Sequence, residues 1–364
     1  MGQAPNGQSY NDRGEGLPLI AGAGDFDGLR ISPKKFTTAP GKVSEPGDII
    51  LSIRASIGAK VWSDGEYCLG RGVAGLRPRA PLDSGYLWHW LTHVERALAA
   101  KGRGATFLQV NRGDIGEMPI ELPPLPEQRR IAAILDHADA LRAKRRQVLA
   151  HTESLPKSIF FEMFGDFPAT STVEAEASLI RTGPFGSQLL HSEFVDEGIA
   201  VLGLDNVVGN EFRWGERRFI STTKYEQLKR YTVRSGDVLI SIMGTTGRCV
   251  VVPADIPPAI NTKHICAITP KGSRIDSTFL RAAFLWHPGS LAHLRRQTKG
   301  SIMDGLNMSI IKAMPIPVPP LEDQQEFAGK VERVTACRRA IDRVAETDEQ
   351  LFASLQSRAF RGEL

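Results

Sequence analysis

Two stretches of the chain repeat one hydrophobic rhythm. Ile134, Ala138, Leu141, Val148, Leu155 and Ile159 fall at alternating three- and four-residue steps, interrupted at Arg145 and Thr152. Phe327, Val331, Val334, Ile341, Val344, Leu351 and Leu355 do much the same. Such spacing, flanked by Glu, Arg and Lys, predicts long helices that pair along an apolar seam as a coiled coil. Each would run about 40 residues, roughly 60 Å at 1.5 Å per residue, too long for a domain of this size to surround. Pairing with each other is the better account. The double prolines Pro123-Pro124 and Pro319-Pro320 impose an extended approach and then a sharp helix start. Pro156 lies inside the first helix and predicts a kink there.

The two helices belong to a larger repeat. Pro320 follows Pro124, and Phe360 follows Phe164, by the same 196 residues. Ahead of each helix stands a Gly-Asp strand, Gly47-Asp48 running into Ile49–Ile53 and Gly236-Asp237 running into Val238–Ile242. Asn111 matches Asn307, and Met118-Pro119-Ile120 matches Met314-Pro315-Ile316. Further short β-branched runs, Val250–Val252 and His264–Ile268, are bounded by turn residues and predict strands. Gly85–Lys101 and Ser277–Gln297 predict helices. The fold class is mixed α+β: two globular α/β domains with compact, loop-rich sheets, each followed by a long helix, in an internal pseudo-two-fold repeat. The boundaries are residues 1–122 for the first domain, 123–165 for its helix, 166–318 for the second domain and 319–364 for the second helix. The first domain begins at a point matching Gly183-Pro184, so it is expected to lack the opening strand that Asp166–Ile180 supplies to the second.

At 364 residues with 41% hydrophobic and 24% charged positions, the chain predicts two ordinary cores in a soluble protein. A net charge of +4 permits a nucleic-acid partner without requiring one. Cys68, Cys249, Cys266 and Cys337 form no CxxC pair, which argues against a zinc site or a disulfide framework and fits a cytoplasmic location. No apolar run is long enough to span a bilayer, so no membrane partner is expected. There is no phosphate loop, no His-Glu-x-x-His and no amino-methyltransferase Asn-Pro-Pro-Tyr motif. Gly22-Ala23-Gly24 resembles a piece of a dinucleotide fingerprint, but the third glycine is misplaced and no Rossmann unit surrounds it. Asp48, Glu66 and Lys60 loosely resemble a nuclease cluster, but Gly-Asp at a strand start is more economically a turn. The chain reads as a binding protein, not an enzyme.

Base readout and phosphate contact call for basic and small polar side chains on exposed loops. Such loops recur at equivalent places. Ser52–Gly58, with Arg54, corresponds to Ser241–Arg248, with Thr245, Thr246 and Arg248. Arg71 matches Lys263, while Lys101-Gly102-Arg103-Gly104 overlays Gln297-Thr298-Lys299-Gly300. Glycine-flanked cations let backbone and charge approach a phosphate closely. The candidate DNA-binding residues are therefore Arg54, Arg71, Lys101, Arg103, Thr245, Thr246, Arg248, Lys263 and Lys299.

The arrangement resembles the specificity subunit of a type I restriction-modification system over essentially the whole chain. The residues that carry the resemblance are Gly47–Ser52, Leu122–Ile131, Phe161–Asp166, Gly236–Leu239 and Pro319–Gln325. The resemblance implies two target-recognition domains, each reading half of a split duplex site, and an antiparallel helix pair that sets the gap. A rod of roughly 60 Å allows at most about 17 base pairs between half-site centres. It also implies two adenine-methyltransferase (M) subunits and a translocating restriction (R) subunit as partners, which would hold the S-adenosylmethionine, ATP and Mg; this chain would hold no cofactor. An interaction scaffold that binds protein in place of DNA is the alternative.

Overall fold

The structure, a computed structural model, describes residues 1–297 and 306–364. It divides into two compact units, Met1–Gln147 with Arg343–Leu364, and Val148–Asp342. Each unit holds one globular domain and part of both long helices, Leu125–Phe164 and Leu321–Ala359.

In the first unit, Ile49–Ser52 is the middle strand of three, between Lys60–Trp62 and Val73–Leu76, all antiparallel. All four of its residues are buried. Ile49 and Leu51 face the helix Ser84–His93 through Trp88 and Leu91, while Ile50 faces Ile20, Val61 and Leu69. Burial on both faces is why this strand reads as an unbroken apolar run without alternation. A second sheet joins Tyr10–Asn11, Lys35–Thr37, Leu17–Ile20 and Cys68–Leu69, the last two in parallel.

The second unit repeats this plan. Val238–Ser241 lies between Cys249–Val251 and Ile265–Pro270, and a five-stranded sheet contains the parallel pair Ile199–Leu202 and Ala259–Asn261. One strand differs. Ala177–Thr182 pairs with Ile265–Pro270 as a fourth strand, and among the described residues the first unit has no counterpart.

The helical stretches expected at 85–101 and 277–297 are each two helices. The first divides into Ser84–His93 and Glu95–Ala100, with Val94 off helical geometry. The second divides into Ser277–Trp286 and Pro288–Gln297, where Pro288 cannot donate the backbone hydrogen bond that would continue the turn. The first long helix is assigned without interruption through Pro156.

The Pro-Leu-x-x-Gln words have a structural reason. Gln128 is fully buried; its Oε1 accepts the Asp83 N–H at 2.8 Å, and its Nε2 donates to the carbonyls of Pro123 and Pro81 at 2.8 and 3.0 Å. Gln324, also fully buried, accepts from Asp276 N–H at 2.8 Å and donates to Pro319 and Arg274 carbonyls at 2.8 and 3.1 Å. Asp83 and Asp276 in turn cap the helices that pack on each central strand. One amide thus fastens the start of each long helix to the domain before it. Asn111 and Asn307 are likewise N-caps of matching short helices.

The long helices run antiparallel within each unit, on a seam that keeps Ala138, Ile159, Phe327, Val331 and Leu355 of the apolar rhythm and leaves its middle exposed. In the first unit Ile131, Leu135 and Ala138 meet Phe352, Leu355 and Ala359. The seam continues through Arg142, which pairs with Glu349 and lies 4.1 Å over the Phe352 ring, and Arg145, whose Nε donates to Asp348 at 2.6 Å. In the second unit Thr152 is buried with its hydroxyl bonded to the Leu149 carbonyl at 2.8 Å, and Phe160 and Phe164 pack edge-on against Phe327. Arg145 and Thr152, read from sequence as interruptions, are seam residues whose polar groups find partners. Leu141, Val148, Leu155, Val344 and Leu351 are instead 41–53% exposed.

Candidate nucleic-acid interface

The loop after each central strand folds the same way in both units. In the first, Ser52 N–H donates to Ala59 and Gly58 N–H to Ser52, at 2.7 and 3.0 Å. In the second, Ser241 N–H donates to Arg248 and Gly247 N–H to Ser241, both at 2.9 Å. Between these bonds Ala55 has φ of 60° and Gly244 of 70°, the left-handed region, so the loop keeps its path even where the residue is not glycine.

On this frame the first unit gathers Arg54, Arg71 and Arg103. Arg54 and Arg71 line one cleft of about 500 Å³ with Ala4, Tyr10, Leu19 and Gly70. Arg54 is half-buried and Arg71 exposed, on the turn between Cys68–Leu69 and Val73–Leu76. Arg54 and Arg103 both pair through their backbones with Gln109. The Arg103 guanidinium, 74% exposed, donates to buried Asp114 at 3.1 Å. Lys101, half-buried, closes the preceding short helix.

In the second unit Thr245, Thr246 and Arg248 share one loop, with Thr245 and Arg248 exposed and Thr246 half-buried. Lys263 sits exposed on the adjacent turn, joined to that loop where Ile242 N–H donates to the His264 carbonyl at 2.9 Å. The matching bond in the first unit is Ile53 N–H to Gly72, at 3.0 Å. Partial burial, then the Lys263 charge, hold the His264 imidazole below its ordinary pKa. Lys299 lies outside the described residues.

Two features escaped the sequence reading. Phe107 and Leu108, 53% and 50% exposed, stand at the tip of the loop that carries Arg103, with the Arg54 guanidinium 5.2 Å over the Phe107 ring. In the second unit Trp214, 39% exposed, meets Phe212 edge-on at 5.4 Å and carries Arg217 at 5.2 Å. For Trp214 the available signal was aromatic residues next to arginine, in Phe-Arg-Trp-Gly-Glu-Arg, whereas Gly-Ala-Thr-Phe-Leu holds no arginine.

The residues of a loosely nuclease-like cluster are committed elsewhere. Asp48 accepts two guanidinium hydrogen bonds from Arg77 at 2.7 and 2.9 Å, which hold its carboxyl below the usual range. Lys60 donates to Thr92 at 2.6 Å. Burial pushes the Cys249 and Cys266 thiols up to about 12, which removes them as nucleophiles. Among the described residues no group of His, Cys, Asp and Glu could hold a metal ion, and no helix is long and apolar enough to cross a membrane.

The model of the type I restriction modification DNA specificity domain matches residues 2–151 and 204–347, once over each half of the repeat. The chain belongs to this family. It is 23% identical to the type I restriction enzyme EcoBI specificity subunit of Escherichia coli, over all of this chain and 83% of that one. It is 33% identical over 160 residues to the putative MjaX specificity subunit of Methanocaldococcus jannaschii, a match spanning 44% of this chain and 38% of that one. In fold it is similar to the S subunit of a type I restriction-modification system from M. genitalium, with a TM-score of 0.59 at 15% identity over 99% and 92% of the two chains. A chain solved in work on assembly and conformational transition of the type I R-M system gives a TM-score of 0.58 at 20% identity over the full length of both.

Proposed function

We propose that this chain is the sequence-reading subunit of a type I restriction-modification complex, with no catalysis of its own. Each domain reads one half of a split, asymmetric duplex site, through Arg54, Arg71, Lys101 and Arg103 in the first and Thr245, Thr246, Arg248, Lys263 and Lys299 in the second. The observation that carries this reading is the pair of loops with one backbone path and different side chains: Arg54 and Ala55 in one, Met243 and Gly244 in the other. A common frame with unlike surfaces is what a two-part asymmetric target requires.

The partners in this reading are two adenine-methyltransferase subunits and a restriction subunit, which hold S-adenosylmethionine, ATP and Mg. A docking face for a methyltransferase helix is the exposed apolar stripe on the paired helices. In the first unit it forms a groove of about 470 Å³ that includes Ile134, Leu141, Leu351 and Leu355. The stripe recurs on the first long helix at Ile134, Leu141, Val148 and Leu155, every seventh residue, as a helical partner needs.

The test is co-expression with a type I methyltransferase and sequencing of the methylated DNA. A bipartite adenine-methylated motif is expected. R71E should abolish or relax one half of that motif and K263E the other, each with a shallower dependence of binding on salt. Unmodified DNA, with the methyltransferase still co-purifying, would favour the scaffold reading.

A further inference from the structure

We propose that Phe107 and Leu108 form a wedge that enters the base stack of the half-site read by the first domain. The inference rests on the DNA-reading function above and specifies how one surface performs it. A single exposed apolar side chain is ordinary. Here two consecutive ones crown a loop that is closed and anchored. Arg103 and Gln109 exchange backbone hydrogen bonds at 3.0 Å in each direction, closing the loop below its tip. Ala55 N–H then donates to the Leu108 carbonyl at 2.9 Å, and Val110 N–H to the Ile53 carbonyl at 3.0 Å, tying the loop to the end of the central strand. Gly104, at φ of 140°, admits no side chain, because a Cβ there would lie 2.3 Å from the Phe107 carbonyl oxygen. The tip is therefore held out by its backbone, although its side chains are apolar.

Charge around the tip selects the partner. The Arg54 guanidinium stacks over one face of Phe107, and the exposed Arg103 guanidinium stands at the loop's base, fixed by Asp114. A base step is apolar on its faces and framed by two phosphate chains, which matches an apolar point inside a collar of arginines. Side chains such as Phe and Leu enter such steps and kink the duplex, with neighbouring cations on the backbone. A hydrophobic protein groove would match the tip but leave both arginines facing an apolar rim.

The experiment uses the full chain co-purified with its methyltransferase and duplexes carrying the methylated motif. 2-Aminopurine is placed at successive positions of the first half-site, away from the methylated adenine. With the native chain, fluorescence should rise at one step. F107A/L108A should remove that rise and weaken binding about tenfold, while F107W retains both. Because both side chains are exposed, circular dichroism and co-purification should be unchanged. Three results would overturn the wedge: an unchanged fluorescence rise in the double variant, no rise at any position with the native chain, or loss of the methyltransferase from the double variant, which would assign the tip to protein docking. A native complex that binds no duplex at all would instead remove the DNA-reading function itself.

Discussion

The two recognition domains solve one problem with different residues. Each has a Gly-Asp turn ahead of its central strand, and each Asp must be neutralised. In the second domain Asp237 is fully buried and paired with Arg181, 7% exposed, from the strand Ala177–Thr182. Thr269 completes the set, donating to Asp237 at 2.6 Å and accepting from Arg181 at 2.9 Å. The first domain has no counterpart of that strand among the described residues, and Asp48 turns to Arg77, 49% exposed, just beyond the strand Val73–Leu76. What persists is the requirement of the turn, a carboxylate accepting the N–H three residues back, from Glu45 or Arg234. What changes is who supplies the countercharge. The frame of such a domain is thus a set of local demands that different side chains can meet.

Removing each arginine separates the two turns most clearly. R181A leaves Asp237 charged and buried without its partner, which should cost about 3–5 kcal/mol and unfold the second unit first in urea. Asp48 is buried as well, but its partner Arg77 is half-exposed, so water can reach the place of the lost guanidinium and the loss from R77A should be smaller. Arg77 holds the folded-state Asp48 carboxyl below its ordinary pKa of 3.8, so its contribution is complete above that value and disappears as pH falls through the lowered one. R77A should therefore flatten the acid limb of stability against pH. Equal losses for R181A and R77A would deny that the two turns are anchored differently. The glutamine clamps sharpen the opposite point, that the rest of the frame is shared. Q128A and Q324A each orphan one buried N–H and two carbonyls, and each should cost roughly 2–3 kcal/mol. A difference of more than about 1 kcal/mol between them, by urea unfolding, would show that the joints are not equivalent.

How much of this was legible in the sequence follows from range. The Gly-Asp turns and the proline entries were readable because each acts within a few residues of itself. The family motifs were readable because they occur twice. The helix seam was legible in part: Ala138 and Leu355 pack in the first unit and Ile159, Phe327 and Val331 in the second, while the middle of the rhythm is exposed. Counting apolar residues favours Leu141 and Val148, whereas Arg142, Arg145 and Thr152 occupy the interior by using partners on the other helix or their own backbone. Sequence marks a residue's polarity but not the partner that cancels it. The basic loops were found because cations recur at matching positions, while Phe107 was passed over because its partner, Arg54, lies 53 positions away and only the fold brings them together.

The smallest expected effect distinguishes the domains at one edge of each central sheet. Lys60 in the first occupies the strand position of Cys249 in the second, since Ile50 pairs with Val61 as Leu239 pairs with Val250. Lys60 Nζ lies 4.7 Å over Trp88, which is stacked on Trp62 at 4.8 Å, and burial lowers its pKa from 10.5 to about 8. In the second domain the cation comes instead from the helix, where Arg281 Nε donates to the Cys249 carbonyl at 3.1 Å. An amine whose folded pKa is depressed is bound to fewer protons in the folded state than in the unfolded one between those two values. The first unit should therefore gain stability as pH rises from about 8 towards 10.5. Tryptophan fluorescence during urea unfolding at several pH values in that window reads the effect, because Trp62 and Trp88 both report on the first unit. K60M should remove this rise while leaving the unfolding of the second unit unchanged. A K60M protein with the same alkaline rise would show that Lys60 is solvated in both states and that the two sheet edges are electrostatically alike.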